Sequence, residues 1–143
     1  MRTNNRAVGI VTKNEEILLL RRIKNGQEYF VFPGGGVESE ETIEDALIRE
    51  MSEELSLKVQ SNSFLFKIAT QKNPSEAGRV FHFYLIDSYE GNPQLAGPEK
   101  ENMCEDNQYY LEWVKISDQA NMPNLFPENA KLKLLEVLKR RTP

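Results

Sequence analysis

The sequence is poor in the residues that staple small domains or bind soft metal ions. Its 143 residues include one cysteine, Cys104, and one histidine, His82. A single cysteine excludes an internal disulfide bond, and together with a single histidine it excludes a tetrahedral Cys/His metal centre within one chain. Any metal ion held by this chain must therefore have oxygen ligands.

Long apolar runs and an excess of positive charge are also missing. No 18 consecutive residues are apolar, and the N-terminal sequence MRTNNRAVGIV reaches the charged Lys13 without the apolar core of an export signal. Eighteen basic residues against 22 acidic ones give a formal net charge of −4. We therefore expect a cytoplasmic protein that neither crosses a membrane nor binds nucleic acid through a broad basic surface.

The composition that remains is that of a globular protein, with 39% hydrophobic and 28% charged residues. The length predicts one domain spanning residues 1–143. Apolar and β-branched runs predict strands at 6–11, 17–20, 29–32, 57–59, 64–69, 80–86 and 109–116. The first two of these are expected to form a hairpin. Helices are predicted after Ser39 and after Pro127, so the fold class is mixed α/β.

Two segments are predicted to be loops. The run Tyr29–Phe32 stops at Pro33 and is followed by Gly34, Gly35 and Gly36, which predicts a loop with an unusually free backbone. Residues 90–107 are rich in glycine, proline and charge, and loops of this length are often functional.

The first predicted helix, SEETIEDALIREMSEEL, carries acids where an apolar stripe should be. On a helical wheel that starts at Glu50, the apolar residues 43, 47, 51 and 55 fall between about 20° and 140°. Glu54 falls at about 40°, Glu50 lies at the edge of the stripe, and Glu53 lies at about 300°. Two carboxylates therefore share the inward face, where they need a cation.

Two interpretations of this helix stay open at this point. Glu-rich helices are usually solvated surfaces whose acids pair with Lys and Arg. Here Arg49 lies four residues before Glu53 and could pair with it. The other interpretation is a metal site, because clustered carboxylate oxygens suit Mg²⁺ or Mn²⁺.

The segment GGVESEETIEDALIREMSEELSL, which begins at Gly35, resembles the Nudix box, G-x5-E-x7-R-E-U-x-E-E-x-G-U, where U is a bulky apolar residue. Ser56 stands where the family has glycine, at a turn where a positive φ is convenient. The other box positions match at Gly35, Glu41, Arg49, Glu50, Met51, Glu53, Glu54 and Leu57.

The resemblance implies a Nudix hydrolase with an α/β/α sandwich around a mixed central β-sheet. Such enzymes cleave a nucleoside diphosphate linked to another group by attack of water on phosphorus, with Mg²⁺ or Mn²⁺ as cofactor. Glu50, Glu53 and Glu54 would be the metal ligands. Glu41 would support the site, and the backbone of Gly34, Gly35 and Gly36 would lie close to the substrate. A homodimer is common among relatives.

Other roles are less determined by the resemblance. Arg21 and Arg22 are either phosphate partners or solvated charges that close a strand. The general base is a box glutamate or an acid of the long loop, among which Glu99 is the preferred candidate. His82 alternates with Phe81 and Phe83, which favours a structural role.

Aromatic candidates for stacking on a base are Tyr29, Phe32, Tyr84, Trp113 and Phe126. MutT-like enzymes read an oxidised guanine base near the segment that contains Asn124 and Phe126. We expect a small nucleotide or nucleotide derivative as substrate. Two alternatives remain, a catalytically weak nucleotide-binding module, which Ser56 favours, and an enzyme acting on capped RNA ends or dinucleoside polyphosphates.

Overall fold

The computed structural model describes residues 2–70 and 78–141. In these ranges the chain forms nine strands, four α-helices and one 3₁₀ helix. The strands are β1 (Arg2–Ile10), β2 (Thr12–Lys13), β3 (Glu16–Lys24), β4 (Gln27–Val31), β5 (Gly34–Glu38), β6 (Lys58–Thr70), β7 (Arg79–Glu90), β8 (Asn107–Lys115) and β9 (Leu125–Phe126). The helices are α1 (Ile43–Leu55), α2 (Gly97–Glu101), α3 (Ile116–Gln119) and α4 (Lys131–Arg141), with the 3₁₀ turn at Glu128–Ala130.

The strands form two mixed sheets. The first sheet has the order β5-β1-β7-β6, in which β1 and β7 are parallel and the other pairs antiparallel. The second sheet has the order β2-β3-β4-β9, with β8 paired to β3 and with β4 and β9 parallel. The predicted α/β class with a mixed sheet is therefore confirmed, with the strands divided between two sheets.

Two apolar clusters hold the sheets and helices together. One cluster joins Phe66 and Phe83 of the first sheet to Leu19 and Phe30 of the second and to Leu134 of α4. The other joins α1 to the opposite side of the first sheet through a further set of buried side chains, which includes Ala7, Leu47, Met51, Leu55 and Ile86. Burial of this apolar surface is the main force that fixes α1, and hence its acids, against β1 and β5.

Several predicted boundaries are wrong. The hairpin is limited to β2 and the start of β3, because β1 pairs with β5 and β7 in the other sheet. The predicted strands 57–59 and 64–69 are parts of one long strand, β6, which begins at Lys58 and whose pairing with β7 continues through bulges. Helix α1 begins after Thr42 rather than Ser39, since the Thr42 hydroxyl accepts from the Asp45 amide at 3.0 Å.

The two predicted loops also contain regular structure. Gly34, Gly35 and Gly36 lie in β5, where they pair with β1, so this run of glycines belongs to a strand and not to a loop. Residues 90–107 contain α2. The last helix begins at Lys131, four residues after Pro127, because a 3₁₀ turn comes between them.

No helix in the described ranges is both long enough and apolar enough to cross a membrane.

Candidate active site

Helix α1 places its acids in two different environments. Leu47, Met51 and Leu55 are fully buried, as the wheel predicts. Glu50 and Glu54 lie on the same side of the helix and are only 7% and 4% exposed. The side chain of Glu53 is 55% exposed. The helix therefore carries two carboxylates into the protein and leaves the third at the surface.

The two buried carboxylates lie against the glycines of β5. The Glu54 Oε1 atom accepts a hydrogen bond from the Gly34 amide at 3.0 Å. A Cβ atom at Gly35 would lie 2.3–2.5 Å from the carboxyl atoms of Glu50, which no side chain could tolerate without displacing the acid. The Gly34 backbone has a φ of +145°, and a Cβ there would lie 2.0 Å from the Ala7 carbonyl oxygen. Gly34 and Gly35 are thus required by the close approach of β5 to β1 and α1.

Arg49 joins most of the acids of the box. Its guanidinium donates to both oxygens of Glu41 at 2.7 and 2.9 Å, to Glu50 at 2.9 Å and to Glu53 at 3.3 Å. It also donates to the Gly36 carbonyl at 3.0 Å, which ties α1 to β5. The predicted pair between Arg49 and Glu53 is confirmed, and it is the longest of these bonds.

The pKa of Glu41 reflects this arrangement. The hydrogen bond from Arg49, with a second one from the Glu38 amide at 2.9 Å, lowers the pKa of Glu41 from 4.5 to about 2. The same contact with Glu41 raises the pKa of Arg49 above its ordinary value. Both groups stay charged at neutral pH, so the ion pair that supports Glu50 is permanent there.

A cavity of about 960 Å³ opens beside the buried acids. Its lining includes Glu50, Glu54, Gly34 and Gly35 from the box and its approach strand. Side chains from both sheets and from the segment before α4 complete it, namely Arg6, Val8, Leu20, Arg22, Tyr29, Val31, Phe32, Thr70, Arg79, Phe81, Tyr109, Phe126, Pro127, Glu128 and Asn129, together with Gly78. The cavity thus combines carboxylates, guanidinium groups and aromatic rings.

Arg22 lies at the aromatic part of this cavity. Its guanidinium carbon is 4.2 Å from the centroid of the Tyr109 ring and 5.4 Å from that of Tyr29. The same guanidinium donates to the Tyr109 hydroxyl and, at 3.3 Å, to the Asn107 amide oxygen. The Tyr29 ring meets Phe126 edge to face, with centroids 6.4 Å apart. Arg22 is therefore held among rings, and a planar group could stack there.

Arg21 lies elsewhere. Successive residues of a strand point to opposite faces, and Arg21 pairs with Glu28 at 3.1 Å and stacks on Tyr110 instead of lining the cavity. Alternation along β3 could have separated the two arginines from sequence alone. It could not have found Arg6 and Arg79, since their position depends on which strands pair.

Glu99 lies in α2, but its side chain is outside the described residues. Two backbone hydrogen bonds fasten the segment before α2 to the end of α1, from the Gln94 amide to the Leu55 carbonyl at 3.0 Å and from the Ala96 amide to the Glu54 carbonyl at 2.9 Å. The segment that leads to Glu99 is thus bonded to the end of the helix that carries the box glutamates. Of the other aromatic candidates, Phe32 lines the cavity and Tyr84 and Trp113 pack at the α1 cluster.

The donors suit a divalent cation only in part. Among the described residues, no three acidic, histidine or cysteine side chains converge in a way that could hold a metal ion. Glu53 is drawn away by Arg49 and does not line the cavity. Glu50 and Glu54 do fit such an ion, because both are buried carboxylates that line the cavity.

The chain matches known proteins over most of its length. The family model of the NUDIX domain matches residues 3–134. An ADP-ribose pyrophosphatase of Methanocaldococcus jannaschii is 31% identical over 127 residues, which cover 87% of this chain and 67% of that protein. An 8-oxo-dGTP diphosphatase of Escherichia coli is 36% identical over 90 residues, covering 61% of this chain and 68% of the relative.

The fold agrees with this match. The crystal structure of a MutT NUDIX hydrolase from Burkholderia pseudomallei aligns with a TM-score of 0.73 at 24% identity and covers 94% of this chain and 96% of its own. The sandwich of mixed sheets and helices, with a box of glutamates beside a glycine strand, defines a Nudix fold. The chain belongs to the NUDIX family and is a Nudix hydrolase, in a family whose members generally use divalent metal ions.

Proposed function

We propose that this chain hydrolyses a phosphoanhydride bond in a small nucleotide or nucleotide derivative, with the phosphates beside Glu50 and Glu54. One observation carries the proposal. A single cavity contains two buried carboxylates next to a glycine strand together with an arginine held among aromatic rings. The first set suits a cation and phosphates, and the second suits a nucleobase.

Glu50 and Glu54 would hold a Mg²⁺ or Mn²⁺ ion, with Glu53 as a further ligand if it leaves Arg49. Such an ion neutralises phosphate charge and makes water a better nucleophile. The Gly34 amide fixes one carboxylate by donating to Glu54. Arg49 fixes the other by donating to Glu50 while Glu41 holds its guanidinium in place. These contacts orient both acids before the substrate arrives, which lowers the cost of reaching the transition state.

In the reaction, the oxygen of water bonds to phosphorus, the bridging P–O bond breaks, and a carboxylate accepts the proton of the water. Glu54 and Glu99 are the candidates for that base. Glu54 lines the cavity, and Glu99 belongs to α2, whose preceding segment is bonded to the end of α1. Arg22 lines the part of the cavity where the nucleobase of the substrate would stack. A homodimer and a cytoplasmic location complete the proposal.

The test is turnover on a panel of nucleoside triphosphates, oxidised dNTPs, nucleotide sugars, ADP-ribose, NADH, dinucleoside polyphosphates and a 5′-triphosphate RNA, with Mg²⁺ or Mn²⁺. We expect hydrolysis of one substrate class that EDTA abolishes. Glu54→Gln and Glu50→Gln should each lower kcat by at least about 10²-fold, because they remove charge that the transition state needs.

The control is Glu44→Gln, an exposed acid of the same helix that does not line the cavity, whose kcat should stay within about twofold of the wild type. Wild-type turnover in Glu54→Gln contradicts the assignment of that residue. Nucleotide binding without turnover on any substrate of the panel supports the alternative, a catalytically weak binding module.

A further inference from the structure

One wall of the cavity has little regular structure of its own. The residues that form it, 125–130, comprise a two-residue strand and a single 3₁₀ turn, and we refer to them as the wall segment. Phe126, Pro127, Glu128 and Asn129 of this segment line the cavity. The Phe126 side chain is 46% exposed, so an apolar ring is open to a ligand there. Contacts at its two ends must therefore decide where this wall lies.

One end of the wall segment is fastened to the second sheet. The Phe30 amide donates to the Asn124 carbonyl at 2.8 Å, and the short strand pairs with β4 through Phe30 and Leu125. Leu125 is fully buried in the apolar cluster. This end is held by a backbone ladder and by apolar packing, as the core strands are.

The other end is fastened by two buried polar side chains. Gln119, the last residue of α3, is 0% exposed, and its amide nitrogen donates to the Lys131 carbonyl at 2.7 Å. Lys131, the first residue of α4, is 6% exposed, and its ammonium group donates to the Met122 carbonyl. These bonds link the chain just before the wall segment to the chain just after it. We call this pair the Gln119–Lys131 clamp.

Burying the two polar side chains of the clamp is unfavourable compared with burying apolar side chains of the same volume. The buried ammonium group of Lys131 loses its hydration. The carboxylate of Glu128, in the same turn, is 3.9 Å away and 74% exposed, so this ion pair offsets little of the lost hydration energy. The Gln119 Oε1 atom is buried with no hydrogen-bond partner. Apolar residues of similar volume would fill the same space at lower cost. What they could not supply is a directed link across the ends of the wall segment.

We propose that Gln119 and Lys131 are positioning residues, which hold the wall segment where it meets the nucleobase end of the substrate. This inference rests on the proposed function. Neither residue lines the cavity, and neither belongs to α1 or β5, which carry the box. The clamp therefore acts on substrate affinity and on the choice among bases, and leaves the chemical step unchanged.

The test uses the full chain with Lys131→Met and Gln119→Met, which keep side-chain volume and remove the donors. Lys131→Arg serves as the conservative variant and Lys139→Met as the matched control, since Lys139 is exposed on the same helix. The readouts are the thermal midpoint, KM and kcat on the substrate that the panel identifies. The dissociation constant of α,β-methylene nucleoside triphosphates with different bases, measured by calorimetry with EDTA, gives a readout that needs no turnover.

We expect KM and the dissociation constant to rise about 10-fold in both methionine variants, with kcat within about twofold and a smaller difference among bases. Lys131→Arg should recover most of the affinity, and Lys139→Met should behave as the wild type. A lower thermal midpoint with unchanged affinity means that the clamp only stabilises the fold and overturns the inference. Failure of both methionine variants to fold also rejects it.

The two proposals fail in different ways. A wild type that binds nucleotide without hydrolysing any substrate overturns the proposed function alone, because the calorimetric test of the clamp still applies. A wild type that hydrolyses its substrate while the clamp variants keep its KM and its choice of base overturns only the inference. A wild type that neither binds nor hydrolyses nucleotides overturns both.

Discussion

The absence of a side chain at Gly35 makes room for the Glu50 carboxylate, which occupies the space that a Cβ atom would fill. We predict that Gly35→Ala lowers kcat by about 10-fold or more while the protein stays folded, since a displaced carboxylate no longer faces the substrate correctly. Steady-state kinetics together with a thermal melt would check this. The double variant Gly35→Ala/Glu50→Asp, whose shorter acid can retreat, should recover part of the loss, and no recovery would contradict the steric cause.

Ser56 is the residue at which the chain departs from the box, and its backbone shows why glycine is usual there. It ends α1 with a φ of 58°, and its amide and that of Leu57 bond back to the carbonyls of Ser52 and Met51. In this left-handed conformation the Cβ atom of serine is sterically strained, whereas glycine has no Cβ atom. The departure concerns the helix exit and leaves the buried acids untouched.

Ser56→Gly should therefore raise the free energy of unfolding by on the order of 0.5–1 kcal/mol, with kcat unchanged. Urea denaturation measures the change. Ser56→Ala keeps the Cβ atom and should give no gain. A gain of equal size in both variants would mean that the serine hydroxyl, rather than its backbone conformation, limits stability.

At the scale of the element, α1 and β5 act as one unit because Arg49 bonds to the carboxylates of the helix and to the Gly36 carbonyl of the strand. Lysine offers one point of charge in place of a planar fork, so it cannot make these contacts together. Arg49→Lys should lower the free energy of unfolding by about 1–3 kcal/mol and should also lower kcat.

Urea denaturation of Arg49→Lys and of a control, Arg140→Lys, would test this prediction. Arg140 pairs with Glu136 on the surface of α4, where both side chains are more than 60% exposed. An exposed pair of this kind contributes little, and the control should change stability by less than about 0.5 kcal/mol. Equal effects of the two substitutions would contradict the central role of Arg49.

The elements also show how far sequence reasoning reaches. The wheel of α1 correctly placed Glu50 and Glu54 inside, since a helix period is a local property. The glycine run was predicted to be a loop because its composition is that of a turn, and only its pairing with β1 explains the strand. Sequence distance likewise hides the partners of Arg22, because Tyr109 lies on a strand 87 residues away. Local chemistry was predictable, and the pairing of strands that are distant in sequence was not.

At the scale of the whole molecule, the lone histidine makes the fold sensitive to pH. His82 lies on β7 between Asn5 of β1, whose side-chain oxygen is 3.0 Å from its Nε2 atom, and Lys67, its cross-strand partner on β6. Burial first, and the charge of Lys67 second, lower the pKa of His82 below its ordinary value of 6.5. Protonation thus favours the unfolded chain.

Proton linkage gives the direction in which the free energy of unfolding changes with pH. Because the unfolded histidine binds a proton more readily, this contribution to stability is complete above pH 6.5 and is lost as the pH falls through the folded pKa. We predict that the free energy of unfolding decreases as the pH is lowered below 6.5. Urea titrations between about pH 5 and 8 would measure the slope. His82→Gln should remove it and Lys67→Gln should reduce it, while an unchanged slope in His82→Gln would assign it to other groups.

The ion pairs of Arg49 also bear on whether the chain can fold before it binds a metal ion. A cluster of acids usually repels itself until a cation arrives, and a chain built that way would need metal in order to fold. Here the neutralising charge is part of the polypeptide, because one guanidinium contacts Glu41, Glu50 and Glu53 in the folded chain. Synthesis and folding can then proceed wherever metal is scarce. The amount of folded protein is then independent of the supply of metal.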